Sequence, residues 1–224
     1  MSTSEGDPII AIGGNNNSAA LLKKTHQGLN NVALMRPVTK FTAEIHHIDN
    51  IPELVSNAFR IACEPIRGAC FISLPQDIQT QKTNTTPIKV IERPAFGPAP
   101  QELLEKAAKL LNAAKKPLIL LGLEASREKN SEAICHLLKK TKMAVIGTYQ
   151  AAGAIPHEHL DCFGGRVGLF RNQPADVILA GADVVLTVGF NPIEYNSETW
   201  NPEQNKKIIH LGYLPCDIDM TYKL

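Results

Sequence analysis

The chain has 224 residues, 44% of them hydrophobic, enough apolar surface for a packed core, which excludes a disordered polypeptide. Its 23 Lys and Arg nearly balance 22 Asp and Glu, so no long-range field recruits nucleic acid or an anionic membrane, and small molecules or other protein chains are the expected partners. Five cysteines without a C-x-x-C pair suggest neither a disulfide framework nor a zinc ribbon and fit a reducing cytoplasm, and no apolar run reaches the roughly 18 residues of a membrane span.

The N-terminal stretch through Pro8 has no basic segment of the kind that opens a secretion signal. Apolar patterning then predicts a strand over residues 9–12, a helix over 18–24, a strand over 39–45, a helix over 51–63 and a strand over 69–74. Three strands and two helices make a thin sheet, and a strand starting this early reads as the middle of a domain. Residues 79–100 contain Thr83, Asn84, Thr85, Thr86, Pro87, Pro94, Pro98 and Pro100, a linker composition.

Beyond the linker, Leu103, Leu104, Ala107, Leu110, Leu111 and Ala114 recur at helical spacing over residues 100–115. Pro117 stops that helix, and Leu118-Ile119-Leu120-Leu121 before Gly122 reads as a strand buried on both faces. A helix over 130–140, a strand over 144–146, a helix over 173–180 and strands over 183–189 and 207–211 complete the alternation. The implied fold is α/β: a complete doubly wound parallel sheet, preceded by the closing half of a second α/β domain. Ligands of such sheets bind beyond the strands' carboxyl ends, here after Gly122, Gly147, Gly189 and Leu211.

Candidate chemistry is sparse. Gly13-Gly14 before Asn15-Asn16-Asn17 can present N–H groups to a phosphate or be an ordinary strand-to-helix turn capped by Asn. Gly164-Gly165-Arg166-Val167-Gly168 with Arg171 reads either as a loop that clamps an anion between two guanidinium groups or as a flexible loop with solvated arginines. His157-Glu158-His159 with Asp161 and Cys162 offers metal-ligand residue types without a common zinc spacing, so a solvated loop is expected. Adjacent His46 and His47 point to opposite faces of a strand. His26 beside Gln27 can orient a polar substrate, or be a capping or surface pair. No spacing marks a nucleophilic triad, so no catalytic or metal residue is assigned.

Six collinear stretches together resemble the thiamine-diphosphate-dependent decarboxylase and synthase superfamily, in particular acetolactate synthases of the catabolic, FAD-independent type. They begin at Glu5, Leu21, Ser73, Phe163, Gly189 and Ile208 and include Leu74-Pro75-Gln76-Asp77 and Arg166-Val167-Gly168-Leu169-Phe170-Arg171. The resemblance implies three α/β domains in the family, with residues 1–82 the C-terminal part of a pyrimidine-binding-type domain, 83–99 a linker and 100–224 the central Rossmann-like domain. It implies thiamine diphosphate and Mg2+ as cofactors and no FAD, with pyruvate as substrate and 2-acetolactate and carbon dioxide as products. The glutamate that activates the cofactor and the Gly-Asp-Gly magnesium motif would lie outside this stretch, so the chain is expected to be inactive alone and not to retain the cofactors. Pocket residues implied by the resemblance are His26, Gln27, Gln76 and Gln150, with Arg166, Asn191 and Glu194 on the central domain's rim. Asn191 stands where the resemblance leads us to expect an aspartate, and Asn15-Asn16-Asn17 where a basic residue is expected. The alternative reading is a non-catalytic binding or complementing module that assembles with separately encoded flanking fragments, and an unrelated nucleotide-binding protein is a third; the partners expected are pyruvate and either further copies of the chain or those fragments.

Overall fold

The computed structural model describes residues 2–21, 23–26, 28–89, 96–217 and 219–224. Clustering of the chain gives two compact units, Met1–Ala95 and Phe96–Leu224. Both are α/β, each built on a parallel sheet.

Unit 1 has three strands, β1 (Ile9–Asn15), β2 (Phe41–Glu44) and β3 (Ala69–Pro75), in the order β1-β3-β2. Central β3 supplies buried Cys70 and Ile72, on which Ala58 and Ala62 of helix Ile51–Cys63 pack. Pro52 in the first turn suits that helix, because its missing N–H has no intrahelical partner there in any case. Edge strand β1 leaves Ile9 and Ile12 exposed.

Unit 2 has five parallel strands: β4 (Pro117–Leu121), β5 (Ala144–Thr148), β6 (Phe163–Val167), β7 (Val184–Val188) and β8 (Lys207–Leu211). Their spatial order is β6-β5-β4-β7-β8. The chain therefore winds one way from β4 to β6 and the other way from β7 to β8, reversing between β4 and β7. Core residues lie on both faces of the sheet: Leu118, Leu120 and Ile146 with Leu179 on one side, Ile119, Leu121 and Val145 with Leu138 on the other. Continuous apolar runs such as Leu118-Ile119-Leu120-Leu121 are what burial on both faces requires.

Three expectations change. The helix expected over 18–24 is a single short turn, Ser18–Ala20. Asn15 and Asp77 bind the backbone N–H groups of Asn16 and Ser18 instead of leaving them for a helix. Gly13, Gly14 and Asn15 belong to β1, paired with Ser73, Leu74 and Pro75, so they form no phosphate-binding turn. The glycine-rich stretch read as a loop is edge strand β6. A Cβ on Gly164 would stand 2.4 Å from Ile178 Cδ1, so close packing against helix Pro174–Gly181, not flexibility, is what the glycine serves. Helix Gln101–Ala113 forms as the spacing predicts, but Leu103 and Leu104 stay exposed.

The reversal between β4 and β7 leaves no room for side chains at Gly122 and Gly189. A Cβ on Gly122 would stand 2.3 Å from Phe190 Cα and 2.5 Å from the Gly189 carbonyl oxygen. Gly122→Ala is expected to destabilise unit 2 by about 2–3 kcal/mol through backbone displacement. Gly181→Ala, where nothing lies within 4 Å, is expected to change stability by less than about 1 kcal/mol, in the stabilising direction. Denaturant titration followed by the emission of Trp200, the single tryptophan of the sequence, reads both, and equal midpoints for the two variants would contradict the packing argument.

Candidate functional site

Parallel strands end together, and a ligand crevice opens where the winding reverses. In unit 2 this point lies beyond Leu121 of β4 and Val188 of β7, which are paired in register. The loops leaving the two strands touch directly: Gly122 N–H donates to the Val188 carbonyl at 3.0 Å and Glu124 N–H to the Gly189 carbonyl at 3.1 Å. Gly189 adopts φ +57, with Ala125 N only 2.6 Å from where its Cβ would be, so the turn depends on glycine.

Three donors from three loops converge there on one side chain, Glu194. Leu123 N–H donates to both carboxylate oxygens, at 3.2 and 3.0 Å. Asn191 N–H donates to Oε1 at 3.0 Å, and Thr148 Oγ1, at the end of β5, donates to Oε2 at 2.6 Å. Burial pushes the Glu194 carboxyl up from the ordinary carboxylate range, and the like charge of Glu124 acts in the same direction; the bonds from Thr148, Asn191 and Leu123 pull it back. Arg127 holds Glu124 through two hydrogen bonds of 2.9 Å each.

A second polar group sits beside this one. Tyr195 donates to Asp176 Oδ1 at 2.8 Å, while Asp176 Oδ2 accepts from the N–H of Gln173 at the start of helix Pro174–Gly181. Burial, then the bond to Asp176, pushes the Tyr195 phenol up to about 12.

In unit 1 the corresponding strand ends carry Glu44, whose Oε2 accepts from Asn15 Nδ2 at 2.8 Å and from Ser73 Oγ at 2.9 Å. His46 Nδ1 lies 3.8 Å from Glu44 Oε1.

The residues singled out from the sequence are distributed unevenly over these sites. Asn191 and Glu194 come together, Asn191 through its backbone N–H and Glu194 through its carboxylate. Gln150 is half-buried in the turn that follows Thr148. Arg166 is exposed on β6 and Arg171 in the turn beyond it. His26 is exposed in an irregular stretch and its carbonyl accepts from Asn16 Nδ2. Gln76 is exposed at the start of the short helix Gln76–Gln79, and Gln27 lies outside the described residues. The stretch expected to be a solvated histidine loop is a short helical turn, His157–His159, in which His159 is 4% exposed. The turn leads directly into buried Cys162 and β6, so it is part of the packed approach to the sheet and not a free loop. Both ring nitrogens are without a hydrogen-bond partner among the described residues. No group of three or more His, Cys, Asp or Glu among the described residues is placed to hold a metal ion.

Sequence reasoning missed Thr148, Asp176, Tyr195, Glu44 and Ser73, and it marked Asn15 only as part of a turn. Their placement at strand ends was an available signal for Thr148, Glu44 and Ser73; Asp176 had a signal in the N-cap spacing Gln173-x-x-Asp176.

A five-stranded parallel sheet with its winding reversed between β4 and β7, and its polar groups gathered at that end, defines unit 2 as a doubly wound domain of the Rossmann type. Residues 104–224 match the family described as thiamine pyrophosphate enzyme, central domain, and the chain belongs to that family. It is 44% identical over 219 residues to an acetolactate synthase of Bacillus subtilis, covering 98% of this chain and 38% of that protein. It is 37% identical to a catabolic acetolactate synthase of Raoultella terrigena, again over 98% of this chain and 39% of the relative. A mouse 2-hydroxyacyl-CoA lyase 1 is 30% identical over 81% of this chain and 30% of its own length. The chain thus spans well under half the length of these curated relatives.

A raised carboxyl value has a definite consequence for stability. The Glu194 contribution is fully present below the unfolded carboxyl value of about 4.3 and is lost as pH rises through the higher folded value. Glu194→Gln carries no charge at any pH. The stability of the natural chain relative to this variant is therefore expected to fall as pH rises above about 4.3 and to level off once the folded carboxyl has ionised. Denaturant titrations monitored at Trp200 across that range check it; a difference that stays level or widens in favour of the natural chain would reject the burial argument.

Proposed function

We propose that the chain is a portion of an acetolactate-synthase-type enzyme, with unit 2 serving as its central domain and residues 1–82 as the closing part of a pyrimidine-binding-type domain, joined through residues 83–99. The observation that carries this reading is the 44% identity to the Bacillus subtilis acetolactate synthase, sustained over 98% of the chain and so across both units. The reaction is the joining of two pyruvate molecules to 2-acetolactate with loss of carbon dioxide, for which thiamine diphosphate, when bound, supplies the electron sink.

The described residues do not fit the diphosphate and its magnesium. They contain no metal-ligating group of three or more, and the inward donors of unit 2, Leu123 N–H, Asn191 N–H and Thr148 Oγ1, are committed to Glu194. This chain's own contribution is to hold and orient. His26, Gln27, Gln76 and Gln150 are the side chains proposed to face the 2-keto acid, as hydrogen-bonding groups that align its carboxylate and carbonyl. Of the rim residues, Asn191 and Glu194 set the course of the loops after β4, β5 and β7, and Arg166 remains exposed toward solvent.

Five free cysteines support a reducing compartment such as the cytoplasm. No helix among the described residues is long and apolar enough to cross a membrane. Assembly with further copies or with flanking segments belongs to the same proposal, since Ile9 and Ile12 on edge strand β1 remain uncovered.

Purified as these 224 residues and supplied with pyruvate, thiamine diphosphate and magnesium, the chain is expected to form no acetolactate in a colorimetric acetoin assay. Joined to the flanking segments of the Bacillus subtilis relative, it is expected to turn over, and Gln150→Ala in that fusion is expected to raise KM for pyruvate by roughly tenfold, the value of one hydrogen bond of about 1–1.5 kcal/mol. Sustained turnover by the 224 residues alone, or an inactive but folded fusion, would overturn this reading.

A further inference from the structure

We propose that Glu194 is a built-in anion: its carboxylate occupies an oxyanion cradle at the winding reversal of unit 2 and thereby keeps this domain closed to small phosphorylated or carboxylated ligands. The inference is independent of the acetolactate reading, because it concerns only the folded domain.

The cradle consists of two backbone N–H groups and one hydroxyl, supplied by three separate loops. Leu123 N–H and Asn191 N–H project inward because the bonds between Gly122 and Val188, and between Glu124 and Gly189, fix the loops on either side. Thr148 Oγ1 is aimed by accepting from Ala151 N–H at 3.3 Å while donating to Glu194. Convergent N–H groups at strand ends are the means by which open α/β sheets hold the phosphates of their ligands. Here the acceptor comes from the chain itself.

The surrounding charges keep the preference modest. Glu124 disfavours a second negative charge nearby, and Arg127 is bound to Glu124 through both of its 2.9 Å contacts. A ligand in the cradle would therefore be held by the three neutral donors, which suits a small oxyanion, whether carboxylate or phosphate. Glu194 is already tethered by its backbone and pays no association entropy, so a free anion does not displace it.

Removing the side chain at Cβ should turn the filled cradle into an open site. In Glu194→Ala, the 224-residue chain is expected to unfold at lower temperature than the natural chain in chloride. Sodium acetate or sodium phosphate at matched ionic strength should then raise its Trp200-detected midpoint saturably, by about 3–5 °C beyond any rise seen in the natural chain. Glu194→Gln keeps the shape, its amide oxygen accepting the two N–H groups and its NH2 meeting Thr148 Oγ1. It is expected to stay closed and to show only the general salt effect shared with the natural chain. If Glu194→Ala does not fold in chloride, acetate or phosphate should restore the emission of a buried Trp200. A midpoint that rises equally in all three proteins, or an alanine variant that neither anion stabilises or refolds, would overturn the proposal.

Discussion

Pairing strands in parallel places every carboxyl end of unit 2 on the same side of the sheet, and the loops that leave β4 and β7 must then pass one another at backbone distance. Two consequences follow from that crowding. Side chains are excluded where the loops meet, which is why Gly122 and Gly189 stand there. Backbone N–H groups are also drawn away from water at the place where no neighbouring strand can accept from them, and an unpaired buried N–H costs about 1–3 kcal/mol. Glu194 resolves the second problem: one carboxylate accepts from Leu123, Asn191 and Thr148 and so fastens the ends of β4, β5 and β7 together. Its burial is unfavourable in itself, but the three bonds offset part of that cost, as the opposed influences on its titration show.

Toward the β8 edge the sheet carries a buried group of neutral side chains. Thr187 of β7 lies 2.6 Å from the Tyr222 hydroxyl, and His210 Nδ1 of β8 lies 3.0 Å from the same oxygen. Burial pushes the His210 imidazole down and the Tyr222 phenol up, so both remain uncharged near neutrality. Outside this buried group, Asp219 accepts from the N–H groups of Thr221 and Tyr222 at 2.6 and 2.7 Å, and Asn201 Nδ2 donates to the Thr221 carbonyl. These bonds hold Tyr222 against Trp200 and Phe190, which makes Tyr222 part of the core of unit 2.

The regular part of this architecture was legible because its physics is local. Helix Ile51–Cys63 and strand Lys207–Leu211 occupy the positions that apolar spacing assigns them, since amphipathic periodicity and uninterrupted apolar runs express burial directly. Strand β6 was not legible. In Phe163-Gly164-Gly165-Arg166-Val167 the glycine pair interrupts the strand-favouring Phe163 and Val167, while pairing with β5 and close packing of helix Pro174–Gly181 on Gly164 are contacts between distant elements. The short helical turn at Ser18 failed as a predicted helix for the opposite reason: Leu21 and Ala20 carry the right pattern, but the polar side chains beside them capture the backbone first. The site was legible only as an address. Glu194 and Asn191 were marked by resemblance as rim positions, whereas the bonds joining Glu194 to Leu123 and Thr148 link residues 71 and 46 positions apart, which no local spacing encodes.

Each unit gathers donors onto one carboxylate near the carboxyl ends of its strands, Glu44 at the end of β2 and Glu194 in the loop after β7, but the two are bound differently. Glu194 is held by two backbone N–H groups, which cannot turn away, and its hydroxyl partner, Thr148, is itself fixed by Ala151. Glu44 in unit 1 is held at one oxygen by the side chains of Asn15 and Ser73, while its other oxygen lies toward His46, whose ring is largely exposed. Side-chain donors can rotate onto a ligand at the cost of a rotamer, about 0.5–1.5 kcal/mol, whereas a backbone cradle can be freed only by moving the loops. Unit 1 therefore presents the adaptable polar group and unit 2 the rigid one. The contrast is one of stiffness: the donors around Glu44 can be re-aimed one side chain at a time, whereas those around Glu194 move only with the backbone that carries them.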